Sequence, residues 1–344
     1  MTNRGGPLFA LLLVLQANAH GADAGWTAPR TEYGHPDLQG LWSNATQTPF
    51  LRPRNLGNKQ AYTEEEALEI ERVAREEEAR RALPSDPGRP APPAGGDIDQ
   101  SADENFDIAA IDIARINGEY RTSIIIDPPD GRLPPRLDFR DIYEQWRDEG
   151  FGPSDGPEMR SIQDRCVAPL VQLPLLYTFG AVNSADGDNP SRNIQIVQNE
   201  NYVLILWEYF GAVRIIRLAD DHLDNFGPKW RGDSIARYEG DSLVVHTRNF
   251  RPEQTNPFLR ASAQLEIMET FTPVSQDELV FRFTIVDPAV YAQSITGEIS
   301  LRRMAPGEKL YEFACHEGNY SFTSILRAAR MEEAGLLQQP PDAQ

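Results

Sequence analysis

The chain has 344 residues, with 33 Lys+Arg against 52 Asp+Glu and a formal charge of −19. That balance excludes a nucleic-acid binder, which needs a basic face for phosphate, and argues against docking on an anionic membrane. Hydrophobic residues make up 40%, enough for a core, while 27 Pro and 25 Gly point to long ordered loops.

Residues 1–24 read as a secretory signal. Arg4 supplies the positive start, and residues 8–15 (LFALLLVL) the apolar run. Ala17-Asn18-Ala19 and Ala22-Asp23-Ala24 are two cleavage candidates. The run is too short to span a bilayer, which takes about 20 residues. The expected location is therefore periplasmic or secreted. In such a compartment two cysteines, Cys166 and Cys315, point to a disulfide, with a catalytic thiol as the rival reading. Closing so long a loop contributes about 4–5 kcal/mol on the chain-entropy model.

Thr63-Glu64-Glu65-Glu66 is a capping-box start, and the helix it opens is expected over 64–83. Its Glu and Arg residues form i,i+4 pairs on a solvated face. Residues 84–96 (PSDPGRPAPPAGG) read as a linker. Short helix and turn are expected over 105–118, a strand over 120–127 ending at Pro128-Pro129-Asp130-Gly131, and a helix over 137–150 burying Ile142, Tyr143 and Trp146.

From about residue 161 the chain turns β-rich. Strands are expected over 193–198, 202–209, 213–218, 234–238, 242–249, 264–272, 278–286, 296–303 and 310–316, most joined by short, hairpin-length links. A meander of nine strands must close or split, because wide twisted sheets curl. The expected fold is mainly β: an antiparallel up-and-down, lipocalin-like barrel over 161–334, with a β-sandwich second. An N-terminal helical and loop-rich extension over 25–160 packs on it. A short helix is expected over 322–334, and residues 335–344 form a tail.

The common catalytic motifs are missing. There is no G-x-S-x-G, no H-E-x-x-H, no P-loop and no G-x-G-x-x-G opening a helix. Alternation places Glu208 in phase with Tyr202, Leu204 and Leu206; Arg214 with Ile216 and Leu218; His246 with Val244; Arg282 with Val280 and Thr284. A Glu, an Arg and a His sharing a closed lumen would perturb one another's pKa and serve acid–base chemistry. Periodicity does not choose the inner face, so a surface or core role stands beside each. The densest cluster is Cys315-His316-Glu317-Gly318-Asn319-Tyr320, where a disulfide would pin His316 as a base. Its structural reading is a turn bent at Gly318. Candidate catalytic residues are thus His316, Glu208, Arg214 and His246. Asn319, Tyr320, Arg282 and Tyr202 are candidate substrate contacts. No metal and no cofactor is expected.

Several stretches carry a resemblance: His35-Pro36-Asp37-Leu38-Gln39-Gly40-Leu41-Trp42, Asp127-Pro128-Pro129-Asp130-Gly131-Arg132-Leu133-Pro134, Arg165-Cys166, Gly232-Asp233-Ser234 and the Cys315–Tyr320 block. Together they resemble a large family of secreted bacterial proteins, found in bacteria that degrade aromatic and terpenoid compounds. The chain is also similar to the phenylcoumaran γ-formaldehyde lyases of lignin-dimer catabolism. The resemblance implies a cofactor-independent lyase or isomerase acting on a small aromatic molecule. The resemblance assigns no catalytic residue here; from the polar set read by alternation, Arg214 would stabilise a phenolate, Glu208 would assist ring opening, and His316 would take the γ-hydroxyl proton as formaldehyde leaves. The alternative is a non-catalytic periplasmic carrier of a hydrophobic molecule.

Overall fold

A computed structural model describes residues 26–81, 83, 84, 88, 111–168, 193–223, 227–255 and 259–336. The expected signal, most of the 84–96 linker, residues 105–110 and most of the tail lie outside them. The described residues form thirteen strands and three α-helices: β1 (Gly40–Ser43), β2 (Ala61–Tyr62), α1 (Glu64–Arg81), β3 (Arg115–Ile116), β4 (Glu119–Arg121), β5 (Ile125–Asp127), α2 (Ile142–Asp148), β6 (Asn193–Gln198), β7 (Tyr202–Trp207), β8 (Val213–Leu218), β9 (Asp233–Glu239), β10 (Ser242–Arg248), β11 (Glu266–Ser275), β12 (Glu278–Val286), β13 (Ile295–Arg303) and α3 (Tyr320–Glu333).

The main sheet runs β1-β6-β7-β8-β9-β10-β11-β12-β13, and β1 pairs again with β13, which closes a nine-strand barrel. Strand alternation explains the core. In β12, Leu279, Phe281, Phe283 and Ile285 point inward and are buried, while Arg282 and Thr284 face outward. Trp42, Ile196, Val203, Ile205, Ile216, Val245, Ile267, Phe271, Ile299 and Leu301 join them in one cluster. Burying each such side chain contributes about 1.5–3 kcal/mol. The interior is therefore packed with side chains rather than hollow along its length.

The barrel departs from an all-antiparallel meander at one place. β8 and β9 run parallel, with Ile216 opposite Ser234 and Leu218 opposite Ala236. A parallel pair needs a crossover rather than a hairpin, and the chain between Leu218 and Asp233 makes it. The N-terminal β1, not a C-terminal strand, seals the barrel. The strand expected over 310–316 does not form. β1 pairs with β6 and with one end of β13, and β5 pairs with the other end of β13, so those edges are taken. The strand expected over 120–127 splits: β4 pairs with β2 and β3, whereas β5 adds to β13. The helix expected from residue 137 begins at Ile142, because Leu137 donates its N–H to the Val290 carbonyl and the Asp141/Glu144 capping box starts the helix later. Its expected stripe, Ile142, Tyr143 and Trp146, is only half-buried. At α1 the box forms as expected: Thr63 Oγ1 accepts from the Glu66 amide at 3.2 Å, and Glu66 Oε2 from the Thr63 amide at 2.8 Å. Among the described residues no helix is long and apolar enough to cross a membrane.

Residues of the N-terminal half cover part of the barrel's outer surface. Glu298, buried there, accepts from Arg121 at 2.9 Å and from Arg282 at 3.1 Å. One end of the ring is plugged by the residues that lead into β1, on Gln198 at the far end of β6 from Trp42. Leu38 is fully buried, and its amide donates to Gln198 Oε1 at 2.6 Å. Gln198 Nε2 donates to the Pro36 carbonyl and to the Tyr238 hydroxyl, on which His35 stacks at 4.3 Å. Gly40 holds φ 143°, a backbone conformation that L side chains rarely adopt, and the Arg303 guanidinium lies over the neighbouring Trp42 ring.

Candidate functional site

Chemistry gathers at the other end, where β7 stops at Trp207 and β8 begins. Alternation turns Arg214 inward, and on β11 the same rule turns Glu269 inward between Ile267 and Phe271. The two are almost wholly buried and meet in a bidentate pair: Arg214 Nη1 donates to Glu269 Oε1 at 2.8 Å, and Nη2 to Oε2. Arg214 Nη2 also donates to Thr247 Oγ1 at 2.7 Å, and Nε to Ser234 Oγ at 3.1 Å. The two hydroxyls lie 2.9 Å apart.

The β7–β8 turn at this end carries aromatic rings. Tyr209, Phe210 and Phe313 pack together with centroids 4.7–5.0 Å apart. Phe210 holds a positive φ of 64°, an uncommon cost for a bulky residue. Burial pushes the Tyr209 hydroxyl pKa upward. Trp230 lies between the guanidinium groups of Arg251 (4.7 Å) and Arg165 (5.4 Å). Arg251 pairs with Glu253, whose carbonyl accepts from the Tyr143 hydroxyl at 3.0 Å. Arg231 follows Trp230, half-buried, its guanidinium 5.4 Å from the centre of the Trp207 ring. Burial and then the like charge of Arg214 push its pKa below the usual arginine value. The next residue must be glycine. Gly232 has φ 64°, and a Cβ there would approach the Arg248 carbonyl and Thr247 to 2.7 Å.

The Cys166–Cys315 disulfide forms, with Cα atoms 5.7 Å apart, and ties the C-terminal segment across this end. Asn319 Nδ2 donates to the Asp164 carbonyl at 2.7 Å and to Cys166 Sγ at 3.3 Å, so its amide fastens the bridge. His316 is exposed, as is Tyr320 at 79%. Glu208 sits in the turn after β7, half-buried, accepting from Asn193 Nδ2 at 3.0 Å. Of the residues singled out from alternation, only Arg214 enters the lumen. Tyr202 lies outside at 40% exposure, and Arg282 faces outward to Glu298.

His246 also faces outward, into a chain of ionisable groups. His222 Nδ1 lies 2.8 Å from Asp233 Oδ2, His222 Nε2 is 3.0 Å from His246 Nδ1, and His246 Nε2 is 3.1 Å from Glu266 Oε2. Burial lowers the His222 pKa. Burial alone would raise Asp233, but hydrogen bonds from His222 and the Leu223 amide, with Arg217 and Lys229, hold it below the usual carboxylate value. The His246 hydrogen bond lowers Glu266. Among the described residues no set of three or more His, Cys, Asp or Glu is arranged to hold a metal ion.

Glu269, Ser234, Thr247 and Arg231 were not among the sequence candidates. Glu269 had a usable signal, a charge in phase with Ile267 and Phe271. Arg231 lies on the crossover and had none. A separate cleft of about 310 Å3 beside α2, lined by Trp146, Phe151 and Met159, carries acids but no cation. No known family, curated protein or solved structure matches this chain.

Proposed function

We propose that the end of the barrel around Arg214 binds a small aromatic molecule and turns it over by acid–base chemistry without a cofactor, as a carbon–carbon lyase or isomerase. One observation carries this reading. A buried polar network, Arg214 with Glu269, Thr247 and Ser234, lies at the end of the barrel whose β7–β8 turn carries aromatic rings, opposite the plug. A few polar groups under an apolar, aromatic wall suit a small organic ligand. For a phenylcoumaran-like substrate, Glu208 in the β7–β8 turn protonates the aryl ether oxygen as the ring opens. A base then removes the γ-hydroxyl proton. The Cβ–Cγ bond breaks, formaldehyde leaves, and the electron pair of that bond completes the new Cα=Cβ double bond. His316 is the candidate base, on the segment that Phe313 and the disulfide hold across this end.

The test is mass-spectrometric turnover of lignin-derived dimers by the purified protein. The expected product is lighter by formaldehyde, and Glu208→Gln or His316→Ala lowers its rate at least tenfold. Unchanged rates in both variants would sink these roles. A carrier is the second reading, favoured because Arg214 is fully engaged by Glu269 and His316 is exposed. Saturable binding without turnover would select it.

A further inference from the structure

We infer that Arg231 anchors the carboxylate of an aromatic ligand at this end of the barrel, an inference that rests on reading that end as a small-molecule site. Arg214 and Arg231 sense each other's field, and the one carboxylate within the network, Glu269, is spent on Arg214 in a bidentate pair. Other arginines of the barrel and its surroundings have acids: Arg217 with Asp233, Arg237 with Glu239, Arg251 with Glu253, Arg260 with Asp141 and Arg282 with Glu298. Among the described residues Arg231 has no carboxylate within ion-pair distance and no hydrogen-bond acceptor. A half-buried guanidinium left unbalanced costs free energy. A bound anion removes that cost.

Geometry narrows the anion. The guanidinium lies over the Trp207 ring, which covers one face. Its planar N–H fork matches a carboxylate in two parallel hydrogen bonds. The Tyr209–Phe210–Phe313 group beside the β7–β8 turn offers aromatic surface for a ring attached to that carboxylate. A phenol, with a pKa near 10, is almost wholly neutral at pH 7 and answers the charge less well. Gly232 and the anchored Asp233 fix the backbone that presents Arg231, so the cation is held before the ligand arrives.

The experiment is a tryptophan-fluorescence titration of the purified, disulfide-intact protein. Benzoate and 4-hydroxybenzoate are compared with the uncharged benzamide and guaiacol, in the wild type, Arg231→Gln and Arg231→Lys. Benzoate is expected to quench saturably and to bind at least tenfold tighter than benzamide. Arg231→Gln should erase that preference, Arg231→Lys should keep part of it, and benzoate affinity should stay flat from pH 6 to 9. Equal binding of benzoate and benzamide by the wild type overturns the anchor without needing any variant. So does a preference that survives Arg231→Gln. Guaiacol binding that surpasses benzoate and strengthens as pH rises would assign the site to a phenolate instead. If neutral aromatics bind and the carboxylates gain nothing, only the anchor falls. If no aromatic of either charge binds, the reading of this end as an aromatic site falls with it.

Discussion

Replacing either member of the Arg214–Glu269 pair should destabilise the barrel far more than replacing both. The two side chains are 1% and 0% exposed, and the bidentate contact is joined by bonds to Thr247 and Ser234. Glu269→Leu leaves a buried guanidinium with hydroxyl partners only. Arg214→Met leaves a buried carboxylate. Each single change should cost about 3–5 kcal/mol, the usual penalty for an orphaned buried charge. That corresponds to a fall in Tm of roughly 10 °C for a domain of this size. The double variant removes both charges with similar volume, and Ser234 and Thr247 can still bond each other across 2.9 Å. Its cost should be about 1 kcal/mol or less, so the coupling in the cycle exceeds about 4 kcal/mol. Urea denaturation with the disulfide intact measures all four proteins. Additive losses would refute the reasoning, as would single changes costing under about 1 kcal/mol.

Other outcomes can be checked in the same way. The folded-state pKa values of His222, Asp233 and Glu266 are all lowered, so the unfolded chain binds more protons at acid pH and stability falls as pH drops. The His222 contribution is complete above about pH 6.5 and declines below it, and the carboxylate contributions follow below about pH 4. His222→Gln should flatten the first limb in unfolding free energies measured from pH 5 to 7; parallel curves would contradict this. Gly232→Ala should cost about 2–4 kcal/mol, combining the left-handed φ with crowding against Thr247 and Arg248, and should weaken benzoate binding. Paired Cys166→Ser and Cys315→Ser changes open a loop with a sequence separation of 149 residues and should remove up to about 5 kcal/mol. Hydrogen exchange should then quicken in α3 before it quickens in β11–β13.

The strands were legible because period-two alternation survives in β6–β8 and β10–β13, and the barrel followed from the need to close a wide sheet. Face choice was not. The outer surface of β6–β8 carries Val197, Leu204, Leu206, Val213 and Ile215, and Ile215 is 58% exposed there. Glu208, in phase with Leu204 and Leu206, therefore shared periodicity with an apolar face that points outward. Arg214 was correctly placed in phase with Ile216. Its partner Glu269 carries the same kind of signal, a lone acid in phase with Ile267 and Phe271, but in-phase polar residues recur on outward faces too, so the pairing itself is set by tertiary structure. Strand direction leaves no mark on periodicity, so the parallel β8–β9 step was invisible. Arg231 rides on that crossover, and its neighbours Trp207 and Arg214 are set only by tertiary structure.

The sealing of the ring by β1 has a consequence in time. The strand that completes the circle is the first to leave the ribosome, and both its neighbours are made later, β13 close to the last. Until then β6 and β13 expose rows of unpaired N–H and C=O groups, a slot one strand wide. Because β1 sits far from both in sequence, a β1 from another copy fits that slot with the same register, Trp42 opposite Ile194 and Arg303. Exchange of this single short strand would give a dimer built entirely from bonds the monomer already makes.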